Sequence, residues 1–227
     1  MIISKEYLFD NNVFQLSNSL EIKTKDIGIA NITVIDNFYN NIEKVLIEIE
    51  KLPMTLVYHE SDNNKKYFDA RKCYCSNMIG TEIPYENSKQ LKKLVSETIQ
   101  YPSKLIKISK EIIVNCFNFT DELDLEKKYY GIHADSYIDK KSKSQLAIVV
   151  FLNRNYEKGE GLNFYEHKIN HNTLLTSKNC ANIIHKVQGK ANRAVLFDSL
   201  IPHGQSTVTN QFKKEIRQTQ VIFIPVY

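Results

Sequence analysis

Apolar positions recur at helical spacing in the first half of the chain and fall into short β-rich runs in the second. Residues 31–38, NITVIDNF, read as a strand, and the following NNIEKVLIEIEKL places Ile42, Val45, Leu46, Ile49 and Leu52 on one helical face. Asn40 with Glu43 three residues on predicts a capping box, and Pro53 predicts the helix end. A second amphipathic helix is expected from about Asn87 or Ser88, with Leu91, Leu94, Val95 and Ile99 facing the core and Pro102 stopping it. Both apolar stripes read as core packing.

From Glu111 onward the pattern changes to EIIVNCFNF, YYGIHAD, QLAIVVFLN, GLNFYEH, RAVLFDS, HGQSTV and RQTQVIFIPV, separated by polar or glycine-containing loops. Short strands at this density predict a sandwich or barrel, and the preceding helices would pack on its outside. The expectation is a mainly β fold with flanking helices. It forms a single domain over 1–227, with helix and strand support in 1–110 and the β core in 111–227.

Composition narrows the classes without choosing among them. The 227 residues are 42% hydrophobic and 25% charged, which is ordinary for a globular domain. The net charge of +4 comes from interspersed signs, and no arginine-rich helix or aromatic–basic motif points to nucleic acid. The cysteines, Cys73, Cys75, Cys116 and Cys180, complete no zinc pattern and read as reduced thiols of a cytoplasmic protein. The N-terminal MIISKEYLFDNN lacks the apolar centre of a signal peptide, and the longest apolar run, Leu146 to Leu152, is too short to span a bilayer. No membrane partner is expected, and oligomeric state is not legible.

The chemistry starts at YYGIHADSY. On a strand, His133 and Asp135 share a face, because side chains alternate with period two. Such a pair makes a salt bridge, a proton relay or two-thirds of a metal site. A third group stands far downstream in RAVLFDSLIPHGQS, where Ala194 to Phe197 reads as a buried strand, Asp198 to Pro202 as a turn and His203 as the start of the next strand. Two histidines and one carboxylate, with three positions left open, suit non-haem Fe(II) and oxygen chemistry. A core His–Asp pair with an unrelated surface histidine is the competing reading.

The run IRQTQVIFI bears on that choice. Arg217, Thr219, Val221 and Phe223 share a face, with Ile216, Ile222 and Ile224 opposite. An inward guanidinium needs an anion, and a carboxylate gripped bidentately with help from the Thr219 hydroxyl is the natural one. Asn163 and Tyr165, on one face of GLNFYEH, and Gln205, on the face of His203, are lesser candidates for contact with substrate or for supporting the ligands. His167, His171 and His185 read as loop residues on the surface, and Arg71 as a surface ion pair.

His133-x-Asp135, then His203, then Arg217-x-Thr219 resembles the iron(II)/2-oxoglutarate-dependent dioxygenases. The likeness is to the prolyl-hydroxylase-like branch and a bacterial group of that superfamily. Tyr130 matches a tyrosine often found three residues before the first histidine. LAIVVFLN with EGLNFYEH, and NRAVLFDSLIPHG, resemble the branch's later strands, and VIDNF its bacterial opening. The resemblance implies a distorted double-stranded β-helix with iron on His133, Asp135 and His203. Arg217, Thr219 and Tyr130 would then hold 2-oxoglutarate. Dioxygen would be the co-substrate and ascorbate a candidate reductant.

The implied activity is hydroxylation of a small molecule, amino acid or peptide with release of succinate and carbon dioxide. Desaturation and ring formation stay open, whereas halogenating relatives lack the carboxylate that Asp135 supplies. Glu160 departs from the pattern by standing where the first glycine of a pair is expected. The alternatives are a catalytically silent β-helix binding module and a zinc hydrolase built on the same triad.

Overall fold

Strand β8 (Ser144–Phe151) shows how the chain is layered. Its even residues, Leu146, Ile148 and Val150, face one hydrophobic cluster, and its odd residues, Ala147, Val149 and Phe151, face another. A strand buried on both sides reads as a continuous apolar run instead of an alternation. That is why LAIVVFL carries no polar residue.

The computed structural model describes residues 12–51, 55–56, 59–60, 66–67, 74–77, 85–108, 113–117, 132–135, 141–166, 182–206 and 211–227. In chain order the elements begin with β1 (Glu21–Asp26), β2 (Asn31–Asp36), α1 (Ile42–Glu50), β3 (Thr55–Leu56), β4 (His59–Glu60), β5 (Lys66–Tyr67), β6 (Tyr74–Asn77), α2 (Tyr85–Ile99) and β7 (Ile113–Phe117). After β8 come β9 (Gly161–Tyr165), β10 (Ile183–Gln188), β11 (Ala194–Asp198), β12 (His203–Ser206), α3 (Gln211–Lys214) and β13 (Arg217–Val226). Among the described residues, one sheet of eight strands runs β1-β2-β11-β8-β13-β7-β6-β3, and a second runs β10-β9-β12. A two-stranded ribbon pairs β4 with β5.

The two faces of the large sheet do different work. On one face α1 and α2 bury Val45, Leu46, Ile49, Leu91, Leu94 and Val95 against Ile148, Val150, Leu196, Ile222 and Ile224. On the other face Val149, Phe151, Val195 and Phe197 meet Leu162, Phe164 and Val187 of the small sheet. Each fully buried Phe or Leu of this inner layer contributes about 1.5–3 kcal/mol of apolar transfer. This two-sheet core with helices on one side is the double-stranded β-helix expected from the sequence.

Several local expectations shift. The N-cap of α1 is Asn41, not Asn40, and its side chain accepts from the Lys44 backbone N–H at 3.0 Å. The second helix starts at Tyr85, earlier than its apolar spacing indicates, and ends before Pro102 as expected. Ile216 is half exposed and does not pack. β1, EIKTKD, is exposed along its whole length, so no apolar pattern announces it. Strand β2 lies inside the large sheet between β1 and β11, so residues before 110 supply strands as well as helical cover. No helix among the described residues is long and apolar enough to cross a membrane.

Candidate active site

His133 and His203 form a directly opposed antiparallel pair. The His133 N–H donates to the His203 carbonyl at 2.9 Å, and the His203 N–H donates back at 2.9 Å. Residues paired this way project side chains from the same side of the sheet, and the two rings lie 4.5 Å apart between centroids.

A tight turn at the end of β11 positions the other atoms. Asp198 Oδ1 accepts from the Leu200 N–H at 2.9 Å, and the Ile201 N–H donates to the Asp198 carbonyl at 3.0 Å. The turn thereby presents two carbonyls. That of Ser199 accepts from the Asp135 N–H at 2.8 Å, and that of Ile201 lies 2.8 Å from His203 Nδ1. Gln145 secures the turn from β8, accepting the Ser199 N–H at 2.9 Å and donating to the Ser199 hydroxyl at 3.1 Å.

The consequence is a convergent donor set. With Nδ1 on the Ile201 carbonyl, the His203 tautomer leaves the Nε2 lone pair facing Asp135 Oδ2 at 3.7 Å. His133 Nε2 lies 3.3 Å from the other carboxylate oxygen. One donor atom from each of His133, Asp135 and His203 falls within 4.8 Å of the others. Burial is the main force pushing the His203 pKa down to about 4, with nearby His133 adding to it and Asp135 and the Ile201 carbonyl opposing. The imidazole is therefore neutral at pH 7, as a metal ligand must be. The cluster is graded in exposure: the His133 side chain is 46% accessible, and that of His203 only 6%. His133 is the most accessible member of the cluster.

Donor type and spacing fit a ferrous ion. Two neutral imidazoles and a carboxylate are the set that holds Fe(II) while leaving coordination positions open.

Arg217 and Thr219 are each 3% exposed on β13 and face the inner layer with Val221 and Phe223. The Arg217 Nη2 donates to the Gly161 carbonyl at 3.3 Å, and the guanidinium stands 6.0 Å from the Phe151 ring centroid. Gly161 pairs with Ser206, three residues past His203 on β12, which places this buried cation along the same inner wall. The close approach explains the glycine, since a Cβ at position 161 would collide with the Val187 carbonyl and reach within 2.7 Å of the Gly189 nitrogen. Glu160, the departure from the family pattern, is fully buried, and its carbonyl accepts from the Gly189 N–H at 2.7 Å. The required glycine is the second of the pair.

The other candidates sort by register. Gln205 opposes Leu162, and His203 opposes Phe164, so Gln205 shares the inner face with His203 as expected. Asn163 and Tyr165 alternate with those residues and occupy the other face of β9, where Asn163 Nδ2 donates to Tyr165 Oη at 3.3 Å. Asn163 and Tyr165 therefore stand apart from His203 and Gln205, because a two-residue period sends odd and even positions to opposite faces. Tyr130, Arg71, His167 and His171 lie outside the described residues. His185 is on β10 and not in a loop, where burial and then Lys25 lower its pKa. Arg193 is held by both oxygens of Asp36 at 2.7 and 2.9 Å, so it has a partner far simpler than a co-substrate.

The sequence model of the 2OG-Fe(II) oxygenase superfamily matches residues 120–222. No curated protein sequence matches the chain. Among solved structures, HygX from Streptomyces hygroscopicus, with nickel, 2-oxoglutarate and hygromycin B bound, superposes with a TM-score of 0.50. It is 11% identical, over 86% of this chain and 82% of that one. A Trichoplax adhaerens prolyl hydroxylase in complex with a hypoxia inducible factor peptide fragment is 16% identical, over 86% of this chain and 83% of that one, with a TM-score of 0.45. A Pseudomonas putida prolyl-4-hydroxylase is 12% identical, over 82% and 83%, with a TM-score of 0.42. At these identities HygX bears on the fold alone. The superfamily model thus matches the segment that carries the converging triad, and the chain is similar to the 2OG-Fe(II) oxygenases there in sequence and to HygX in fold.

Proposed function

We propose that this chain is an Fe(II)/2-oxoglutarate-dependent oxygenase that hydroxylates a small-molecule, amino-acid or peptide substrate, with iron held by His133, Asp135 and His203 and 2-oxoglutarate anchored by Arg217 and Thr219. The observation that carries the reading is the convergence of three ligand-type atoms within 4.8 Å, contributed by segments far apart in sequence. A silent binding module would have no reason to keep two imidazoles and a carboxylate so placed. Bound there, Fe(II) supplies the oxidising chemistry that couples decarboxylation of 2-oxoglutarate to substrate oxidation, leaving succinate and carbon dioxide.

The chain's own residues set the conditions. The Ile201 carbonyl fixes the His203 tautomer and the ring orientation. Arg217 offers a planar fork of donors inside a layer of Phe and Leu, where a charge-assisted bond to a carboxylate is screened little by water. Thr219, two residues on, adds a hydroxyl to the same face. Tyr130, three residues before His133, is assigned to the co-substrate on its sequence position. Substrate enters over exposed His133. The small-molecule option draws support from HygX, which binds hygromycin B, and the peptide option rests on the resemblance to prolyl hydroxylases.

The test is anaerobic addition of Fe(II) and 2-oxoglutarate to the full chain, followed by admission of oxygen. A charge-transfer absorbance on 2-oxoglutarate addition, and succinate formation that requires ferrous iron, are expected. Succinate formation supported equally by zinc, or absent with iron, would overturn the assignment.

A further inference from the structure

Among the described residues, the inner wall between His203 and Arg217 carries a polar side chain, Gln205, that the preceding reading does not use. Gln205 lies two residues beyond His203 on β12, and the strand rise puts the two side chains roughly 7 Å apart on the same face. The next residue, Ser206, pairs with Gly161, whose carbonyl accepts from Arg217. Gln205 thus stands on the stretch of wall that joins the metal ligand to the buried guanidinium.

Among the described residues its amide nitrogen finds no acceptor. The residue opposite is Leu162, and Val187 opposes Leu162 in turn from β10. Gln205 Nε2 is buried and has no hydrogen-bond partner among the described residues. A buried donor without an acceptor is rare in folded proteins and calls for an explanation, and an acceptor brought in by a ligand supplies one. The ligand must be an acceptor and must lie between a metal-binding imidazole and a cation. A dicarboxylate keto acid has carboxylate oxygens at both ends of a span of this length.

We propose that Gln205 is a further recognition group for the co-substrate, its Nε2 donating to a carboxylate oxygen of 2-oxoglutarate held between His203 and Arg217. The inference rests on the oxygenase reading above. It also explains why a carboxamide occupies a position that a Leu or Val would otherwise fill.

Two variants test it in the full chain loaded with Mn(II), which reads binding without turnover. Gln205→Met keeps length and removes the donor. Its 2-oxoglutarate affinity, measured by calorimetric titration, should fall about 10-fold, while Mn(II) affinity stays at the wild-type value. The same variant without ligand should melt no lower than the wild type, because an unpartnered buried donor has been removed. Gln205→Glu replaces the donor with a negative acceptor and should weaken 2-oxoglutarate about 100-fold or more. Wild-type 2-oxoglutarate affinity in both variants would overturn the inference. A lower melting temperature for Gln205→Met with 2-oxoglutarate affinity unchanged would also overturn it, by making Gln205 a structural residue. Failure of the wild-type Mn(II) protein to bind 2-oxoglutarate at all would be a different result, removing the oxygenase reading and this inference together.

Discussion

His133 and His203 exchange both of their backbone hydrogen bonds, so the bridge that ties the His133 segment to β12 also brings the two imidazoles together. Their side chains nevertheless sit in unlike surroundings. His203 is buried with its ring 4.7 Å from Phe197, whereas the His133 side chain is nearly half exposed.

The two imidazoles should therefore separate by stability and not by metal binding. Either alanine variant loses one of three ligands, and Mn(II) affinity should fall by at least 100-fold in both. His203→Ala also leaves a cavity beside Phe197 and should cost about 2 kcal/mol in urea denaturation of the metal-free protein. His133→Ala should stay within about 0.5 kcal/mol of the wild type. Equal stability losses would contradict the burial of His203.

Arg217→Lys retains the charge and discards the fork. Affinity for 2-oxoglutarate should drop by about 10- to 100-fold, equivalent to ~1.4–2.8 kcal/mol, with iron affinity unchanged. Arg217→Leu should be worse, since the distal carboxylate would then be buried against Phe151 with no donor. Anaerobic titration of the Fe(II) protein by charge-transfer absorbance measures both. Unchanged affinity would shift the anchor away from β13.

Acid should expose a second, structural ion pair. The Arg193 guanidinium, bonded to both Asp36 oxygens, holds the Asp36 carboxyl below its ordinary pKa against the opposing effect of burial, and Lys190 helps from 3.4 Å. A depressed carboxyl contributes its stability above its unfolded pKa of about 4 and loses it as pH falls through the lower folded value. Water reaches part of this pair, so Asp36→Asn should cost only about 1 kcal/mol at pH 7. The gap between variant and wild type should close as pH drops below about 4, followed by urea midpoints. A gap constant down to pH 2 would show that the loss is not electrostatic.

Gly161 joins the wall to Arg217, the proposed anchor, and alanine there must push the Val187 carbonyl aside. Gly161→Ala should destabilise by about 2–3 kcal/mol. It should also weaken 2-oxoglutarate binding, because the Gly161 carbonyl is the acceptor that steadies Arg217. Gly159→Ala, in the loop just before, gives the comparison, and co-substrate affinity there should be unaffected. Loss of affinity in both would argue against a specific role for position 161.

What could be read from the sequence followed from periodicity and residue chemistry. The triad rests on ligand chemistry and the family resemblance, whereas the inward Arg217 and the shared face of Gln205 with His203 rest on two-residue alternation within β13 and β12. Asn163 and Tyr165 show the limit of that logic. Their common face is legible within β9, but which face it is depends on pairing with β12, a non-local fact. β1 and the strand bearing His185 escaped for a related reason: at a sheet edge polar side chains meet water on both sides, and no apolar alternation is left to detect. The Ser199 and Ile201 carbonyls were out of reach altogether, because backbone acceptors carry no sequence signature.

The place of β13 in the large sheet has a consequence for how the protein is made. This strand is inserted between β8 and β7, two strands that precede it in the chain and do not pair with each other. A ribosome that has released everything up to β12 has delivered the triad ligands but left a slot in the middle of the sheet. Until residues 217–226 emerge, the edges of β7 and β8 are open and can pair with neighbouring chains, so nascent and truncated forms are the ones exposed to aggregation. Completion of the sheet and arrival of Arg217 coincide. If Arg217 anchors the co-substrate as proposed, its binding waits on that last strand.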